Sequence, residues 1–381
     1  TLSLHDALPI LYLGMEVKME RKKIFISAYT CFNVGDDLFI KILCDKFSEH
    51  DFYIIANKEY RKIFREQKNL HIIDSSSAYQ RYLNKIMSLL HKEHYTIRKT
   101  ILSCDAIVCI GGSIFIQNEN WKNRFEFMLK EIDKPKFVIG SNFGPFDDDG
   151  FYSAFHELFK CFTDICVRDD YTYNLFHDLK NVRKAPDIVF QYDMKKHISE
   201  EKQGVGISVI NLRNRKGLEK VCEVYEEKIA SVCEMFATKN IPVKLFSFCK
   251  FEKDNDVIEK IKDKLSDIAK ENCKVILYET DLEMLLDQIG NCKMIIASRF
   301  HAMILGWIAQ CKVLPLIYSD KMLNVINDVR FTGKYVDIKN IESLTMDDIM
   351  KIYENQPILR TEILSKEAER QFDGLKQYLN T

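Results

Sequence analysis

The sequence predicts an α/β protein built from two Rossmann-like domains that face each other across a cleft. Short apolar segments typical of buried parallel strands alternate with amphipathic helical segments along most of the 381 residues. The alternation occurs in two series, which a charged and poorly patterned segment at residues 195–203 separates. The length exceeds what a single hydrophobic core usually supports. We therefore expect domains at residues 19–198 and 199–381.

The first series alternates strands with helices from residue 24 onward. Apolar runs of strand length are followed by segments in which apolar residues recur at helical spacing. The predicted strands are 24–29, 51–56, 70–74, 105–110, 136–140 and 164–167. The predicted helical segments are 37–47, 77–99, 151–162 and 171–179, with a further charged helix between residues 56 and 70.

The second series repeats the pattern and ends in a helical segment. Its predicted strands are 205–210, 243–248, 274–278, 293–297 and 313–318, and its predicted helices are 218–238, 255–271, 281–290 and 322–329. Residues 343–380 are predicted to be helical and to fold back across the domain interface. Ligands of such α/β proteins bind at the carboxyl ends of the strands, so we expect the site in the cleft between the domains.

Charge and cysteine content exclude several classes of protein. The 55 Lys and Arg residues are balanced by 56 Asp and Glu residues, so no overall positive charge would attract nucleic acid. The twelve cysteines lack the spacing of zinc sites, and most lie in apolar segments, which indicates free thiols in a reducing cytoplasm. His91 and His94 have no further ligand nearby and fit a solvated helix face. No apolar run is long enough to span a bilayer, so any membrane contact would be peripheral.

The first 18 residues do not match the rest of the chain. They lack the charged start, the apolar centre and the small-residue cleavage site of a signal peptide. We expect them to be a non-native or disordered extension, with the folded protein beginning near Met19.

The junction at residues 294–308 carries the most specific chemical signal. A buried strand ends before Ser298, which suits a helix N-cap, and the following residues repeat on one apolar helix face. Arg299 and His301 would lie in the first turn, where free N–H groups and the helix dipole favour an anion. The pair therefore predicts half of a phosphate or carboxylate site. On spacing alone, a local hydrogen bond of the histidine and an ion pair of the arginine with a nearby carboxylate explain these residues at least as well.

Loops at other strand ends are further candidates for ligand binding. The turn after the first strand contains Asn33, Gly35 and Asp36, with Asp36 placed to cap the next helix. The strand at 105–110 ends in two glycines and a serine. Plain turns and caps explain these residues equally well. The sequence contains neither a Rossmann dinucleotide fingerprint nor a Walker A sequence.

Seven short motifs follow one another along the chain: Asn33-x-Gly35-Asp36, Gly111-Gly112, Gly144-Pro145, Val167-Arg168-Asp169, Pro186-Asp187, Ser298-Arg299-Phe300-His301-Ala302 and Tyr318-Ser319-Asp320-Lys321. Taken in this order, they resemble the polysaccharide pyruvyl transferase family. Ser113 departs from the pattern, since relatives often have a third glycine there. The resemblance implies a GT-B-like fold and the transfer of pyruvate from phosphoenolpyruvate onto two hydroxyls of a sugar as a cyclic ketal. It also implies that Arg299 and His301 belong to the active site.

The chemistry of phosphoenolpyruvate suits these residue types. We expect Arg299 and the first-turn amides to hold the anionic donor, while His301 acts as a general acid or base. Arg168 and Lys321 would neutralise charge, although surface or salt-bridged roles fit them equally well. Asp36 would orient a hydroxyl if it does not cap the helix. The full set of candidate substrate contacts is Asn33, Gly35, Asp36, Gly111, Gly112, Ser113, Arg168, Ser298, Tyr318 and Lys321.

Phosphoenolpyruvate is the expected donor, and no cofactor or metal is required. The expected acceptor is a sugar or a lipid-linked oligosaccharide of a cell-surface polysaccharide. One alternative is a nucleotide-sugar-dependent glycosyltransferase of the same fold, with Glu279 or Asp281 near the ribose. A second alternative is a non-catalytic glycan-binding relative. The oligomeric state is left open.

Overall fold

A computed structural model describes residues 20–89, 94–213 and 215–381 of the chain. The expected extension at residues 1–18 and His91 lie outside these residues. Within them, two parallel sheets form the centres of two α/β domains, which confirms the fold class that the sequence predicts.

The first sheet has seven parallel strands in the order β3-β2-β1-β4-β5-β6-β7. Its strands are β1 (Lys23–Ser27), β2 (Asp51–Ala56), β3 (Leu70–Asp74), β4 (Ala106–Ile110), β5 (Lys136–Ser141), β6 (Asp164–Val167) and β7 (Val182–Lys184). Its helices are α1 (Val34–Lys46), α2 (Tyr60–Ile63), α3 (Ala78–Leu89), α4 (Tyr95–Leu102), α5 (Asp149–Phe159) and α6 (Asp170–Phe176). The sequence analysis missed β7 because its three residues, two of them basic, carry no apolar pattern.

The second sheet has six parallel strands in the order β10-β9-β8-β11-β12-β13. Its strands are β8 (Val205–Ser208), β9 (Val243–Ser247), β10 (Cys273–Leu277), β11 (Met294–Ala297), β12 (Lys312–Ile317) and β13 (Val336–Asp337). The helices are α7 (Cys222–Thr238), α8 (Asp254–Asp263), α9 (Asp267–Asn272), α10 (Leu282–Gly290), α11 (Phe300–Ile308), α12 (Asp320–Asp328) and α13 (Met346–Asn355). The single helix predicted at 255–271 is two helices, because Ser266 caps a new helix by accepting from Ala269 N.

One continuous apolar core connects the two domains. Buried residues of α1, of the turn at Ile188–Gln191 and of α11 belong to the same cluster. Within it, the rings of Phe190 and Trp307 stack with their centroids 6.5 Å apart. An interface of this apolar kind favours a fixed arrangement of the two domains.

Polar contacts also join α1 to the second domain. Val34 N donates a hydrogen bond to Phe248 O at 3.2 Å. Tyr278 Oη donates to the Oδ2 atom of Asp37 at 2.6 Å, and Asp37 is fully buried. Burial raises the pKa of Asp37 well above its usual value. These contacts fix the start of α1 at the edge of the cleft.

The end of the chain returns to the first sheet. Two helices, α14 (Glu362–Ala368) and α15 (Asp373–Leu379), follow α13. Between them lies Gln371, whose buried side chain accepts from Gly140 N at 2.9 Å and donates to Ala185 O at 2.8 Å. The terminal segment therefore packs against the first sheet, in the manner that the sequence analysis expected.

The distribution of thiols and apolar helices adds two observations. All twelve cysteines fall within the described residues, and none of them forms a disulfide. Across the same residues, no helix combines the length and apolar character that crossing a bilayer requires.

Candidate active site

A cavity of about 460 Å³ opens between the two domains, beside the carboxyl ends of both sheets. Its volume lies in the range of small-molecule sites. Of the twelve residues that the sequence analysis selected, nine line it: Asn33, Asp36, Gly112, Ser113, Arg168, Arg299, His301, Tyr318 and Lys321. The other three, Gly35, Gly111 and Ser298, each precede a lining residue in the sequence.

The start of α1 forms one wall of the cavity. Asn33 is the N-cap of this helix, and its Oδ1 atom accepts a hydrogen bond from Gly35 N at 3.0 Å. The sequence analysis placed Asp36 in this role, and that prediction was wrong. The reason is that α1 begins at Val34, which puts Asp36 inside the first turn.

Asp36 is a buried carboxyl group in this wall. Burial raises the pKa of Asp36, and the charges of His301, Arg168 and Lys321 reduce this effect without reversing it. A carboxyl group with a raised pKa exchanges its proton nearer to neutral pH than an ordinary aspartate does. Asp36 is therefore a candidate proton carrier.

His301 packs directly against Gly35. A Cβ atom at position 35 would overlap the imidazole ring at Nδ1. The ring of Phe39 meets the imidazole edge-on, with the centroids 5.4 Å apart. Because α1 and α11 belong to different domains, the position of the imidazole depends on how closely the two domains approach.

Asp187 lies on the other side of the imidazole. Its Oδ2 atom is 3.7 Å from His301 Nε2 and accepts a hydrogen bond from Arg168 Nη1 at 2.8 Å. The first distance is longer than a hydrogen bond. Burial raises the pKa of Asp187, but His301 and Arg168 outweigh it and hold the pKa below its usual value. An ionised carboxylate therefore stands beside the imidazole, where it can orient the ring.

The start of α11 differs from the prediction by one residue. Arg299 holds the cap position with φ −100° and ψ 137°, and the helix begins at Phe300. Ser298, predicted as the N-cap, is buried, and its Oγ atom forms a hydrogen bond of 2.9 Å with Tyr225 Oη. The prediction was wrong because the partner of Ser298 lies 73 residues away, where local spacing does not reveal it.

Arg299 is already paired with carboxylates. Its Nε atom donates to Asp254 Oδ2 at 2.9 Å, its Nη1 atom donates to Glu252 Oε2 at 2.6 Å, and its Nη2 atom donates to Asp254 Oδ1. Burial lowers the pKa of Arg299, but the two carboxylates outweigh it and raise the pKa well above its usual value. The expectation that Arg299 supplies free positive charge to a donor is therefore corrected: its charge is neutralised within the protein.

Arg168 is buried and partnered in a similar way. Besides its bond to Asp187, its guanidinium carbon lies 4.1 Å from the centroid of the Phe300 ring. The backbone of Gly112 packs so closely that a Cβ there would press against the guanidinium. The salt-bridged alternative that the sequence left open is the arrangement in the structure.

Lys321 differs from the arginines around the cavity. Its Nζ atom is 3.3 Å from Ser113 Oγ, a contact that joins the two domains. Within the described parts of the chain, no carboxylate oxygen lies within 4 Å of this ammonium, whereas Arg168, Arg215 and Arg299 all have one. Among the described cations that line the cavity, Lys321 is therefore set apart by its lack of a carboxylate partner.

The pKa of Tyr318 reflects the electrostatic potential beside Lys321. Burial raises the pKa of Tyr318, yet the charges of Lys321, Arg215 and Arg299 outweigh burial and lower the pKa below its usual value. The guanidinium carbon of Arg215 lies 4.6 Å from the centroid of the Tyr318 ring. A phenol held in this way indicates a positive potential.

The sequence analysis did not select several residues of the site. These are Tyr29, Asn211, Arg215, Phe248, Phe251 and Glu252, which line the cavity, and Asp187 and Asp254, which hold its basic groups. Most lie in loops after β1, β8 and β9, so the rule that ligands bind at strand ends would have identified these loops. Their individual pairings could not be read from spacing. In the ranges that the structure describes, no group of three His, Cys, Asp or Glu side chains is placed to hold a metal ion.

The family comparison covers most of the chain. A family model described as "Polysaccharide pyruvyl transferase" matches residues 33–320. This range includes every residue of the candidate site except Tyr29 and Lys321. No curated protein matches the sequence.

Solved structures show a similar fold at low sequence identity. HepE of Anabaena, in complex with UDP and glucose, is 9% identical, with a TM-score of 0.56 over 95% of this chain and 98% of that one. The UDP-GlcNAc 2-epimerase of Neisseria meningitidis, bound to UDP-GlcNAc, is 10% identical, with a TM-score of 0.62 over 93% and 99%. That of Methanocaldococcus jannaschii, in complex with UDP-GlcNAc and UDP, is 13% identical, with a TM-score of 0.60 over 93% and 99%. These likenesses confirm the GT-B-like fold.

The contact between Gly35 and His301 predicts a steric effect on stability. Gly35→Ala is expected to lower the free energy of unfolding by about 1–3 kcal/mol, because the added methyl group overpacks the domain interface. Gly150→Ala is the matched control, since Gly150 also donates its N–H to an N-cap side chain and a Cβ there meets only the carboxylate of Asp148. Urea denaturation measures the free energy of unfolding of both variants. Equal stability of Gly35→Ala and the wild type would contradict the close packing.

Proposed function

This chain belongs to the polysaccharide pyruvyl transferase family, and from that premise we propose that it transfers the pyruvyl group of phosphoenolpyruvate onto two hydroxyls of a sugar, forming a cyclic ketal. This donor carries a phosphate and a carboxylate, so its site needs positive charge in a pocket with little water. The cavity supports the proposal through one side chain: the arginines that line it are paired with Asp187, Glu252 and Asp254, whereas the Lys321 ammonium has no described carboxylate within 4 Å.

The observation that carries the proposal is the position of Lys321. Its ammonium lies between the domains beside Ser113 and is not neutralised by a described carboxylate. The lowered pKa of Tyr318 next to it indicates a positive potential at the same point. We place the donor phosphate here. The first amides of α11, which have no partner inside their own helix, add donors for an anion.

The reaction requires two proton transfers. Protonation of the methylene carbon C3 makes C2 electrophilic, and the first sugar hydroxyl adds to C2. Phosphate then leaves with the electrons of the C2–O bond, and the second hydroxyl adds to C2 to close the ketal. One hydroxyl proton balances the proton gained by C3, and the other leaves with phosphate. The site therefore needs an acid near the donor and a base near the acceptor.

We assign these transfers to two side chains. In the proposal, His301 is the acid that protonates C3, and Asp187 orients its imidazole from 3.7 Å away. Asp36 is the base that accepts the two hydroxyl protons in turn, because burial raises its pKa and it lies within the same group of charges. It gives the first proton to the departing phosphate, and the second proton restores the acid form of His301. Arg299 does not touch the donor but positions α11 through its bonds to Asp254.

The main alternative is a nucleotide-sugar glycosyltransferase of the same fold. The solved structures of HepE and the epimerases, which contain UDP or UDP-GlcNAc, favour this alternative through their ligands. The residues suggested for ribose binding do not support it. Glu279 pairs with Lys250 at 2.8 Å, and Asp281 accepts from Met284 N at 2.9 Å as the cap of α10. Neither carboxylate lines the cavity.

The proposed reaction implies the kind of acceptor, and the cysteines bear on the location of the protein. The acceptor would be a sugar or a lipid-linked oligosaccharide of a cell-surface polysaccharide, with no cofactor besides the donor. The twelve unpaired cysteines support a cytoplasmic location, where thiols stay reduced.

Phosphate release tests the reaction and the role of His301. The wild type is expected to release phosphate from phosphoenolpyruvate only when a sugar with two suitably placed hydroxyls is present. His301→Gln is expected to slow this release by about 10² to 10⁴-fold, the usual effect of removing an acid or base. His177→Ala, which alters an exposed histidine, is the control and should keep full activity. Turnover of a nucleoside diphosphate sugar instead would overturn the proposal.

Substitution of Lys321 tests where the donor binds. Lys321→Gln is expected to raise the KM for phosphoenolpyruvate by about 10 to 100-fold, because a hydrogen bond from a charged group contributes about 1.5–3 kcal/mol. Lys321→Arg should recover part of the loss, since it restores the charge. Lys216→Gln removes a lysine whose side chain is 94% exposed and should leave KM unchanged. Initial rates over a range of donor concentrations measure these effects, and an unchanged KM in Lys321→Gln would refute the placement.

The pH dependence of kcat/KM tests the role of Asp36. A base works only when ionised, and burial raises the pKa of Asp36, so activity should fall as pH drops through a pKa above that of an ordinary aspartate. In Asp36→Asn this decline should disappear, together with most of the activity. Asp147→Asn changes an 85% exposed side chain and should keep the wild-type profile. If Asp36→Asn showed the same decline with falling pH, another group would be the base.

A further inference from the structure

Helix α3 is attached to the protein by polar side chains. The Oγ1 atom of Thr96 in α4 donates to Gln80 Oε1 at 2.9 Å and lies 2.7 Å from Asn84 Oδ1. Thr96 N also donates to Asn84 Oδ1, at 3.2 Å. Gln80 and Asn84 are one helical turn apart, so they mark the side of α3 that faces the protein.

The opposite side of α3 presents apolar groups to solvent. Tyr79 is 70% exposed, Tyr82 is 66% exposed and Ile86 is 36% exposed. Their spacing of three and four residues places them in one stripe, which helix geometry puts on nearly the opposite side from Gln80 and Asn84. A helix of a water-soluble domain normally directs such a stripe toward the core. The exposed stripe on α3 is therefore a candidate contact surface.

The charge of α3 favours one kind of partner. Arg81 and Lys85 are both exposed and lie one turn apart beside the tyrosine stripe. Residues 75–89 contain no Asp or Glu. A helix with aromatic residues on one face and basic residues beside them fits the interface between an anionic bilayer and water. A second copy of the chain fits less well, because a symmetric contact through α3 would bring the basic residues of both copies together.

The position of α3 relates this surface to the cleft. β3 is the edge strand of the first sheet, and α3 follows its carboxyl end after three residues, Ser75–Ser77. The strands of the sheet are parallel, so this is the same edge from which the loops after β1, β4 and β6 enter the cleft.

We propose that α3 is an interfacial helix that docks the enzyme on an anionic lipid bilayer. The tyrosines and Ile86 enter the headgroup region, and Arg81 and Lys85 bind lipid phosphates. The proposal goes beyond the transferase reaction, because lipid binding is measured without catalysis and stands or falls separately from it.

Co-sedimentation of the full chain with vesicles tests the docking. The wild type is expected to bind vesicles of phosphatidylcholine and phosphatidylglycerol in equal parts, and to bind pure phosphatidylcholine vesicles weakly or not at all. Tyr79→Ser/Tyr82→Ser and Arg81→Gln/Lys85→Gln should each reduce binding by about tenfold or more. Added salt should weaken the binding. Ile268→Ser/Ile363→Ser is the control, since these side chains are 71% and 72% exposed on other helices.

Two outcomes would overturn the docking. One is wild-type binding that neither double variant reduces, or no binding to the anionic vesicles. The other is a dimer in analytical ultracentrifugation that Tyr79→Ser/Tyr82→Ser dissociates in the absence of vesicle binding, which would assign the stripe to a contact between copies. The midpoint of urea denaturation should be unchanged in both variants, which shows that they remain folded.

Discussion

The contact between the start of α1 and the start of α11 determines the geometry of the whole site. Each helix belongs to a different domain, and Gly35 leaves no room for a side chain against His301. The contact holds because α1 is tied to the second domain by Val34 and by the buried pair of Asp37 and Tyr278. The imidazole therefore occupies a defined position only when both domains are assembled.

Buried charge is distributed around this contact in pairs. Arg168 is held by Asp187 on one side of the cleft, and Arg299 is held by Asp254 on the other. Breaking such a pair leaves an uncompensated charge away from water, which costs about 3–5 kcal/mol. The paired arginines thus form the framework, while the charge of Lys321 is not matched by a carboxylate of the described residues.

The sequence analysis predicted the strands and helices better than it predicted which side chains pair with each other. Strands such as β4 and β11 were identified because both are apolar and buried throughout, so their composition alone distinguishes them. The motifs at strand ends identified nine residues that line the cavity, because ligands of α/β proteins bind at the carboxyl ends of parallel strands. The predictions of two helix N-caps were wrong, because Ser298 forms a hydrogen bond with Tyr225 and because Asn33, not Asp36, occupies the cap position of α1. These outcomes depend on contacts or helix starts that hydrophobic spacing does not determine.

Carboxylates match the charge of the arginines on this side of the cavity. Glu252 accepts from Arg299 at 2.6 Å and from Arg215 at 2.7 Å, and Asp254 is a second carboxylate for Arg299, so two cations face two anions. The guanidinium carbon of Arg215 lies 4.6 Å from the centroid of the Tyr318 ring. Lys321, which has no carboxylate partner among the described residues, lies 5.6 Å from the same centroid, and the pKa of Tyr318 is lowered against the effect of burial. In the Arg-x-His element, Arg299 therefore neutralises Asp254 and Glu252 and anchors the loop after β9, so its charge is balanced within the protein, while that of Lys321 is not balanced by a described carboxylate.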